Sequence, residues 1–507
     1  MTELTVISDA GASIPEARQN RHLIGGAWQD SADGATFERV SPSHGLVVSN
    51  SAKGGTVETE AAIAAARHAF DEGTWRQMPG KDRAALLNRV ADLIDENRER
   101  LALIEVLESG KPISQSRGEI EGAADLWRYA ASLARTVHGD SHNSLGADML
   151  GVVLKEPIGV AAIITPWNFP FLIVSQKLPF ALAAGCTAVV KPSEMTPSTT
   201  VILGELLTEA GLPAGVVNIV LGFGDPVGTL MSSDARVDMV SFTGSTGVGK
   251  RIVAAASGTL KKVSLELGGK NPQVIFPDAD LDAAADAIVF GVYFNMGECC
   301  NSGSRIIVHE DVAEELVAKV NKLSAKVPFG DPLDARTQVG AIISDAHQGK
   351  IDSYVKDAAK AGAKVEIGGA PLEVPGLQGR FYQPTVVSGV TPDMPIAREE
   401  VFGPVLSVLT FRDEDEAIRL ANDAAYGLSA GVWSENIHTC LKFARNVQAG
   451  TVWTNTWMDG FAEMPFGGVK ESGQGRELGR YGLEEYLEVK TVQLRVARGR
   501  SLWVNAG

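Results

Sequence analysis

Hydrophobic residues recur at helical spacing over 57–70 and 80–108, where Ala, Leu and Ile alternate with charges, and the pattern predicts amphipathic helices. Residues 1–20 show no such period and read as a loose N-terminal arm. From Gly159 the texture changes. Short β-branched runs at 160–165, 187–190, 216–220 and 239–242 alternate with helical stretches near 171–184, 198–210 and 246–257. Strands alternating with helices imply βαβ units and a parallel sheet, of which the dinucleotide-binding architecture is one member. A second alternating set starts near Gln273. It has helical patterns over roughly 280–296, 311–325, 345–361, 413–423 and 435–447, and strands at 305–308, 405–411 and 451–454. A glycine-rich stretch, 465–479, leads into 486–496, which alternates like an edge strand. With no obvious partner in its own domain, that strand is expected to pair elsewhere, across subunits included.

Length and charge narrow the picture. The 507 residues suffice for about three domains. A net charge of −16 argues against nucleic acid and anionic membrane surfaces, which reward basic patches. No run of eighteen apolar residues occurs and the N-terminus lacks a signal-peptide core, so no membrane span or export is expected. The four cysteines, Cys186, Cys299, Cys300 and Cys440, are too few for a disulfide framework and point to a reducing, cytoplasmic setting.

Five segments carry candidate chemistry, and each also has a bland reading. Cys299 and Cys300 follow a helical pattern that stops at Gly297, which places them on a loop before a strand; a pair of small buried hydrophobes is the alternative. Glu266 sits between Leu265 and Leu267 at a strand end, where desolvation would raise its pKa towards general-base duty; the alternative is a solvent-facing edge residue. Two prolines rigidify TPWNFP (165–170) around Asn168, whose side-chain amide suits an oxyanion, or an Asx-turn. Lys191 and Glu194 end the next strand, fit to hold ribose hydroxyls or to form a surface ion pair. The turn 241–250 opens a helix after a strand and offers free amides to a pyrophosphate, although glycine-rich turns are common.

Taken together, TPWNFP, KPSE, FTGSTGVG, LELGGK, GECC, EEVFGPV and PFGG occur in one order, with Cys300 34 residues after Glu266. In this the chain resembles the aldehyde dehydrogenase superfamily over roughly residues 20–495. The resemblance implies an α/β aldehyde dehydrogenase fold: a Rossmann-like coenzyme domain (20–137 and 159–267), an α/β catalytic domain (268–480), and a β-arm for oligomerisation (138–158 and 481–507). It implies NAD as cofactor, a small-molecule aldehyde as partner, a homodimer or homotetramer, and no metal. Cys300, third after Gly297, matches the nucleophile. Glu266 matches the base that activates the deacylating water, and Asn168 the oxyanion donor. Lys177 and Glu477 match positions that relay protons from that base. For the cofactor the matches are Thr165, Pro166, Trp167, Lys191, Glu194, Gly224, Phe242, Gly244, Ser245, Leu267, Glu400 and Phe402. The implied chemistry runs through a cysteine thiohemiacetal and a thioester to the carboxylic acid.

The substrate is less legible. By position in the family, Phe169, Gln176, Phe294, Trp457, Phe461 and Phe466 should line the aldehyde tunnel. NTW (455–457) and AEMP (462–465) are similar to the betaine-aldehyde branch, but that branch usually has Trp where this chain has Gln176. An aromatic or medium-chain aldehyde is therefore the expectation, with betaine aldehyde as the alternative and Glu463 as its acidic candidate. Relatives that pass the thioester to CoA typically lack the glutamate, and a non-catalytic scaffold would have lost Cys300, Glu266 or Asn168.

Overall fold

The computed structural model describes residues 4–9, 11–499 and 504. Parts of two expected segments, 1–3 and 10 at the N-terminus and 500–503 and 505–507 of the arm, lie outside the described residues.

An eight-stranded sheet is built on five central parallel strands, whose β-branched residues, Val263 apart, are buried and suit a sheet covered on both faces. In spatial order these are Lys262–Glu266, Met239–Thr243, Val160–Ile164, Thr187–Lys191 and Val217–Ile219. The hairpin His22–Ile24 and Ala27–Gln29 adds antiparallel at one edge, and Gly473–Gln474 at the other. From Val160–Ile164 the chain winds first one way, to Thr187–Lys191, and later the other, to Met239–Thr243. A crevice for a ligand is expected where that direction reverses, outside the carboxyl ends of the strands.

A second sheet of seven strands runs Lys364–Ile367, Thr385–Ser388, Val405–Phe411, Arg305–His309, Pro272–Ile275, Ser429–Trp433 and Thr451–Thr454. Only its first strand is antiparallel. A third, three-stranded sheet pairs Leu487–Arg495 antiparallel with Met149–Pro157, which also holds Ser141–His142.

Several expectations need correction. The late strand has its partner within the chain, from Leu487 opposite Pro157 to Arg495 opposite Met149. The N-terminal arm is tied down: Val6–Ile7 pairs with Phe329–Gly330, and Arg18–Asn20 pairs with Val47–Ala52. The helix expected over 80–108 is two, Gly80–Glu96 and Arg98–Ser109, broken at Asn97. A 22-residue helix, Ile113–Ala134, was not anticipated, because Gly118 and Gly122 dilute its period and five of its eleven buried positions are Ala. It packs on Gly80–Glu96 and Pro170–Ala184 in the core under the first sheet. Among the described residues no helix is long and apolar enough to cross a membrane.

Candidate active site

The helix Leu281–Tyr293 ends in a turn that the chain takes at a cost. Asn295, Met296 and Gly297 have φ of 50, 59 and 71°, a left-handed run that only the last residue adopts freely. A side chain at Gly297 would also meet the carbonyl oxygen of Gly403 at 2.2 Å. Three amides hold the turn. Asn295 Nδ2 donates to the carbonyls of Asn168 (3.0 Å) and Glu298 (2.9 Å), Asn168 Nδ2 donates to Glu298 O at 3.0 Å, and Asn271 Nδ2 donates to Cys300 O and Ser302 O, both at 2.9 Å. Cys300 is thereby presented half-buried at a cavity wall. Cys299 is buried, its thiol donating to Asn301 Oδ1 at 2.7 Å, and burial pushes its pKa up. The two adjacent cysteines thus have opposite environments.

Glu266 ends the strand Lys262–Glu266 and is buried, yet neither carboxylate oxygen has a hydrogen-bond partner. Desolvation holds its pKa well above the ordinary carboxylate value, and the charge of Glu477 adds to the rise. A side chain at Gly467 would reach Glu266 Oε1 at 2.6 Å. Behind it lies a buried ion pair, Lys177 Nζ to Glu477 Oε1 at 2.6 Å, with Lys177 also donating to Ser241 Oγ at 3.0 Å. Burial raises Glu477 despite Lys177.

Two cavities meet at Cys300 and Thr243, which line both. The first, about 210 Å³, opens at the carboxyl ends of the first sheet's strands, among Pro166, Trp167, Gly244, Ser245, Glu400 and Phe402. Leu267 shares that wall, whereas Thr165, Lys191, Glu194, Gly224 and Phe242 stand outside it. The Phe242 ring lies under Gly244, where a Cβ would approach it to 2.4 Å, so the turn leaves its backbone bare. Ser245 then stands at the N-cap position of the helix Thr246–Ala256. Burial pushes Glu400 up to about 7, opposed by the Gly269 amide, which donates to Oε1 at 2.9 Å. Lys191 and Glu194 pair at 3.6 Å at the end of their strand, and burial lowers Lys191. Trp167 meets the rings of Phe402 and His347 edge-on at 5.5 and 5.7 Å. His347, held down to about 4 by burial, donates from Nε2 to Phe402 O at 2.6 Å, which braces Phe402 at φ 60°. A bare glycine turn at a helix N-terminus, an ionisable carboxyl and a strand-end Lys–Glu pair fit a dinucleotide.

The second cavity, about 370 Å³, is lined by Phe169, Gln176, Phe294, Phe461 and Phe466 together with Glu266. Trp457 is not among them. It is buried against Trp453, ring centroids 4.8 Å apart, and over Gly291, Gly303 and Gly431, which leave it room. Trp453 and Met458 take the wall instead. Glu463 is exposed and outside the lining, and the acidic side chains that do line it include Glu119. Sequence reasoning missed Thr243, Asn271, Asn295, His347, Lys350 and Glu119. For Asn271 and Asn295 a signal existed, since both flank the glycine motifs as polar residues within apolar segments.

The chain matches known proteins over nearly its whole length. The model of the aldehyde dehydrogenase family matches residues 28–492. Betaine aldehyde dehydrogenase of Bacillus subtilis is 43% identical over 485 residues, 96% of this chain and 99% of that one. Human retinaldehyde dehydrogenase 3 is 42% identical over 484 residues, 95% and 94% of the two chains. Among solved structures, an NAD-dependent aldehyde dehydrogenase from Sinorhizobium meliloti superposes with a TM-score of 0.96 at 50% identity, covering 98% of this chain and 99% of that one. Betaine aldehyde dehydrogenase of Staphylococcus aureus, in complex with NAD+, gives 0.93 at 40% identity, covering 96% of each.

Proposed function

Since the chain belongs to the aldehyde dehydrogenase family, we propose that it oxidises an apolar aldehyde, aromatic or of medium chain length, to the carboxylic acid with NAD as the acceptor. The observation that carries this reading is the meeting of two cavities at Cys300, with Asn168 in the wall of one and Glu266 in the wall of the other.

Each residue has a task that its surroundings support. The Cys300 thiolate attacks the aldehyde carbon. The oxyanion that develops is held by the Asn168 amide, already oriented by its bond to Glu298 O, and by the backbone N–H of Cys300. Losing one such donor typically costs about 3 kcal/mol of transition-state stabilisation. Gly244, Ser245, Glu400, Lys191 and Glu194 would hold NAD, which when bound would supply the acceptor for the hydride lost as the thiohemiacetal on Cys300 becomes a thioester. Glu266 takes a proton from water, which attacks the thioester, and the Lys177–Glu477 pair behind it accepts the proton in turn. Glu266 is suited to this because, unpartnered and desolvated, it binds a proton more readily than an exposed carboxylate.

The pocket supports the apolar substrate. Phe169 and Phe294 stack at 6.1 Å, and Gln176 stands where a closed aromatic cage would need a fourth wall. A panel of betaine aldehyde, phenylacetaldehyde and hexanal, followed by NADH absorbance with and without CoA, tests the reading. Hexanal and phenylacetaldehyde should be at least as good as betaine aldehyde by kcat/KM, and CoA should not accelerate turnover. A hundredfold preference for betaine aldehyde, about 2.7 kcal/mol, would overturn the substrate assignment. The Leu487–Arg495 strand, at the edge of its sheet with Val489 and Leu494 exposed, supports self-association through the arm.

A further inference from the structure

The amide that receives the oxyanion is itself held by another amide. Asn168 Nδ2 donates to Glu298 O at 3.0 Å, which uses one of its two hydrogens and leaves the other for the cavity that Asn168 and Cys300 both line. Asn295 Nδ2 donates to the same Glu298 O at 2.9 Å and, with its second hydrogen, to the main-chain O of Asn168 at 3.0 Å. The Asn295 carbonyl accepts from the Glu298 N–H at 2.9 Å. These bonds close a ring. Through it the Asn295 side chain ties the main chain of the oxyanion donor to the cysteine loop, two residues before Cys300.

Three observations mark donation as what this position supplies. Both acceptors of Asn295 Nδ2 are main-chain carbonyls, which cannot donate, so a flipped amide would set oxygen against oxygen and only one orientation is possible. That orientation leaves Asn295 Oδ1 with no hydrogen-bond partner among the described residues, in a side chain that is 1% exposed; a buried acceptor is left unmet so that both donors are kept. The backbone makes its own demand. Asn295 has φ of 50°, which Asn adopts more readily than most residues, and its N–H donates to Gln115 Oε1 at 3.0 Å. Asn combines tolerance of that conformation with a two-hydrogen donor.

We propose that Asn295 is the positioning residue of the oxyanion hole, aiming the Asn168 amide at the oxygen that develops on the aldehyde bound to Cys300. Asn295 lines neither the cofactor cavity nor the aldehyde cavity, so it acts through Asn168 and not on the reacting atoms. Without it the Asn168 peptide loses its tie to the loop, and Glu298 O, accepting one bond instead of two, no longer fixes the direction of the Asn168 amide. A misplacement of about 1 Å at a reacting centre can cost about a hundredfold in rate. The proposal rests on the aldehyde-oxidising reading above and deepens it.

The test is a double-mutant cycle of Asn295→Gly and Asn168→Ala. The readout is the single-turnover rate constant of NADH formation, with enzyme and NAD saturating over the best of the three panel aldehydes; at saturation it does not depend on the fraction of competent enzyme. Gly adopts a φ of 50° freely, so it removes the donor without straining the turn. Asn295→Gly alone should slow the step about tenfold or more, with KM for the aldehyde and Kd for NAD within about twofold of wild type. In the Asn168→Ala background the same substitution should change the rate less than about twofold, because its route of action is gone. Equal slowing in both backgrounds would show that Asn295 acts on the fold or on Cys300 directly, and would overturn the proposal. An unslowed Asn295→Gly, or a loss confined to KM or Kd, would overturn it too. If Asn295→Gly gives no soluble protein, Asn295→Ser, which keeps one hydrogen, takes its place under the same criteria. When the wild type oxidises an aldehyde and the cycle is additive, the positioning role falls alone; a wild type that oxidises no aldehyde overturns both readings.

Discussion

Replacing Glu266 by Gln separates the two halves of the reaction. Gln keeps the volume that the strand end and Gly467 allow, removes the basic oxygen, and leaves Cys300, Asn168 and the cofactor cavity as they are. Attack and hydride loss then proceed, while the thioester has no base to activate water. A positioned general base contributes about 10²- to 10⁴-fold, roughly 2.7–5.4 kcal/mol, and steady-state turnover should fall by that factor. Each chain has one half-buried cysteine at the cavity junction, so mixing enzyme, NAD and aldehyde should give a burst of one NADH per active site followed by a stall. Stopped-flow absorbance at saturating substrate reads both amplitude and slope. A uniformly slow trace without a burst would refute the reasoning and place Glu266 in thiol activation. The pH dependence carries a second sign. Burial raises the folded-state pKa of Glu266, so its contribution to folding stability is present below the ordinary carboxylate range and is lost as pH rises through the raised value. The Gln variant should therefore gain thermal stability relative to wild type as pH increases, and should lack the wild-type rise of hydrolysis over the same range.

Cys300→Ala should abolish turnover with NAD binding retained, measured by calorimetry, whereas Cys299→Ala should keep most activity, because the Cys299 thiol is buried and already bonded to Asn301; the reverse result would place the nucleophile one residue earlier. NAD should be preferred to NADP in kcat/KM, because Glu194 beside Lys191 repels a 2′-phosphate, and Glu194→Ala should narrow the gap; equal use of both cofactors by the wild type would contradict this. Glu477→Ala should destabilise the fold by about 3–5 kcal/mol, since it strands the Lys177 ammonium where both side chains are almost wholly buried; a melting temperature equal to that of wild type would show the pair is dispensable.

What could be read from the chain, and what could not, divides along the range of the interaction concerned. The alternation of strand and helix over 160–257 is a local pattern, and the structure reproduces it as the central strands of the first sheet with their helices. The cysteine loop was legible for a similar reason, because Gly297 marks the end of the helical period, although the helix itself stops at Tyr293 and φ turns positive from Asn295. The helix Ile113–Ala134 was missed because Ala and Gly dilute its period, and its stability comes from packing on Gly80–Glu96 and Pro170–Ala184. Trp457 was placed in the tunnel by its neighbours in sequence, yet its place depends on Gly291, Gly303 and Gly431, which lie far from it along the chain and converge only on folding. Substitution by a larger residue at any of the three would push the indole out, and position alone gives no hint of that.

Glu119 shows the same limit in its chemistry. On the unanticipated helix it reads as one of several charges, and no neighbour in sequence marks it. Its meaning comes from Lys111 eight residues before it, from Glu105 on the preceding helix, and from the cavity whose wall it shares with Phe169 and Phe294. A charged residue is informative when burial removes its water and the count of partners falls short of the count of acceptors. Both conditions are properties of the folded chain. They are met by Glu266 at the reacting centre.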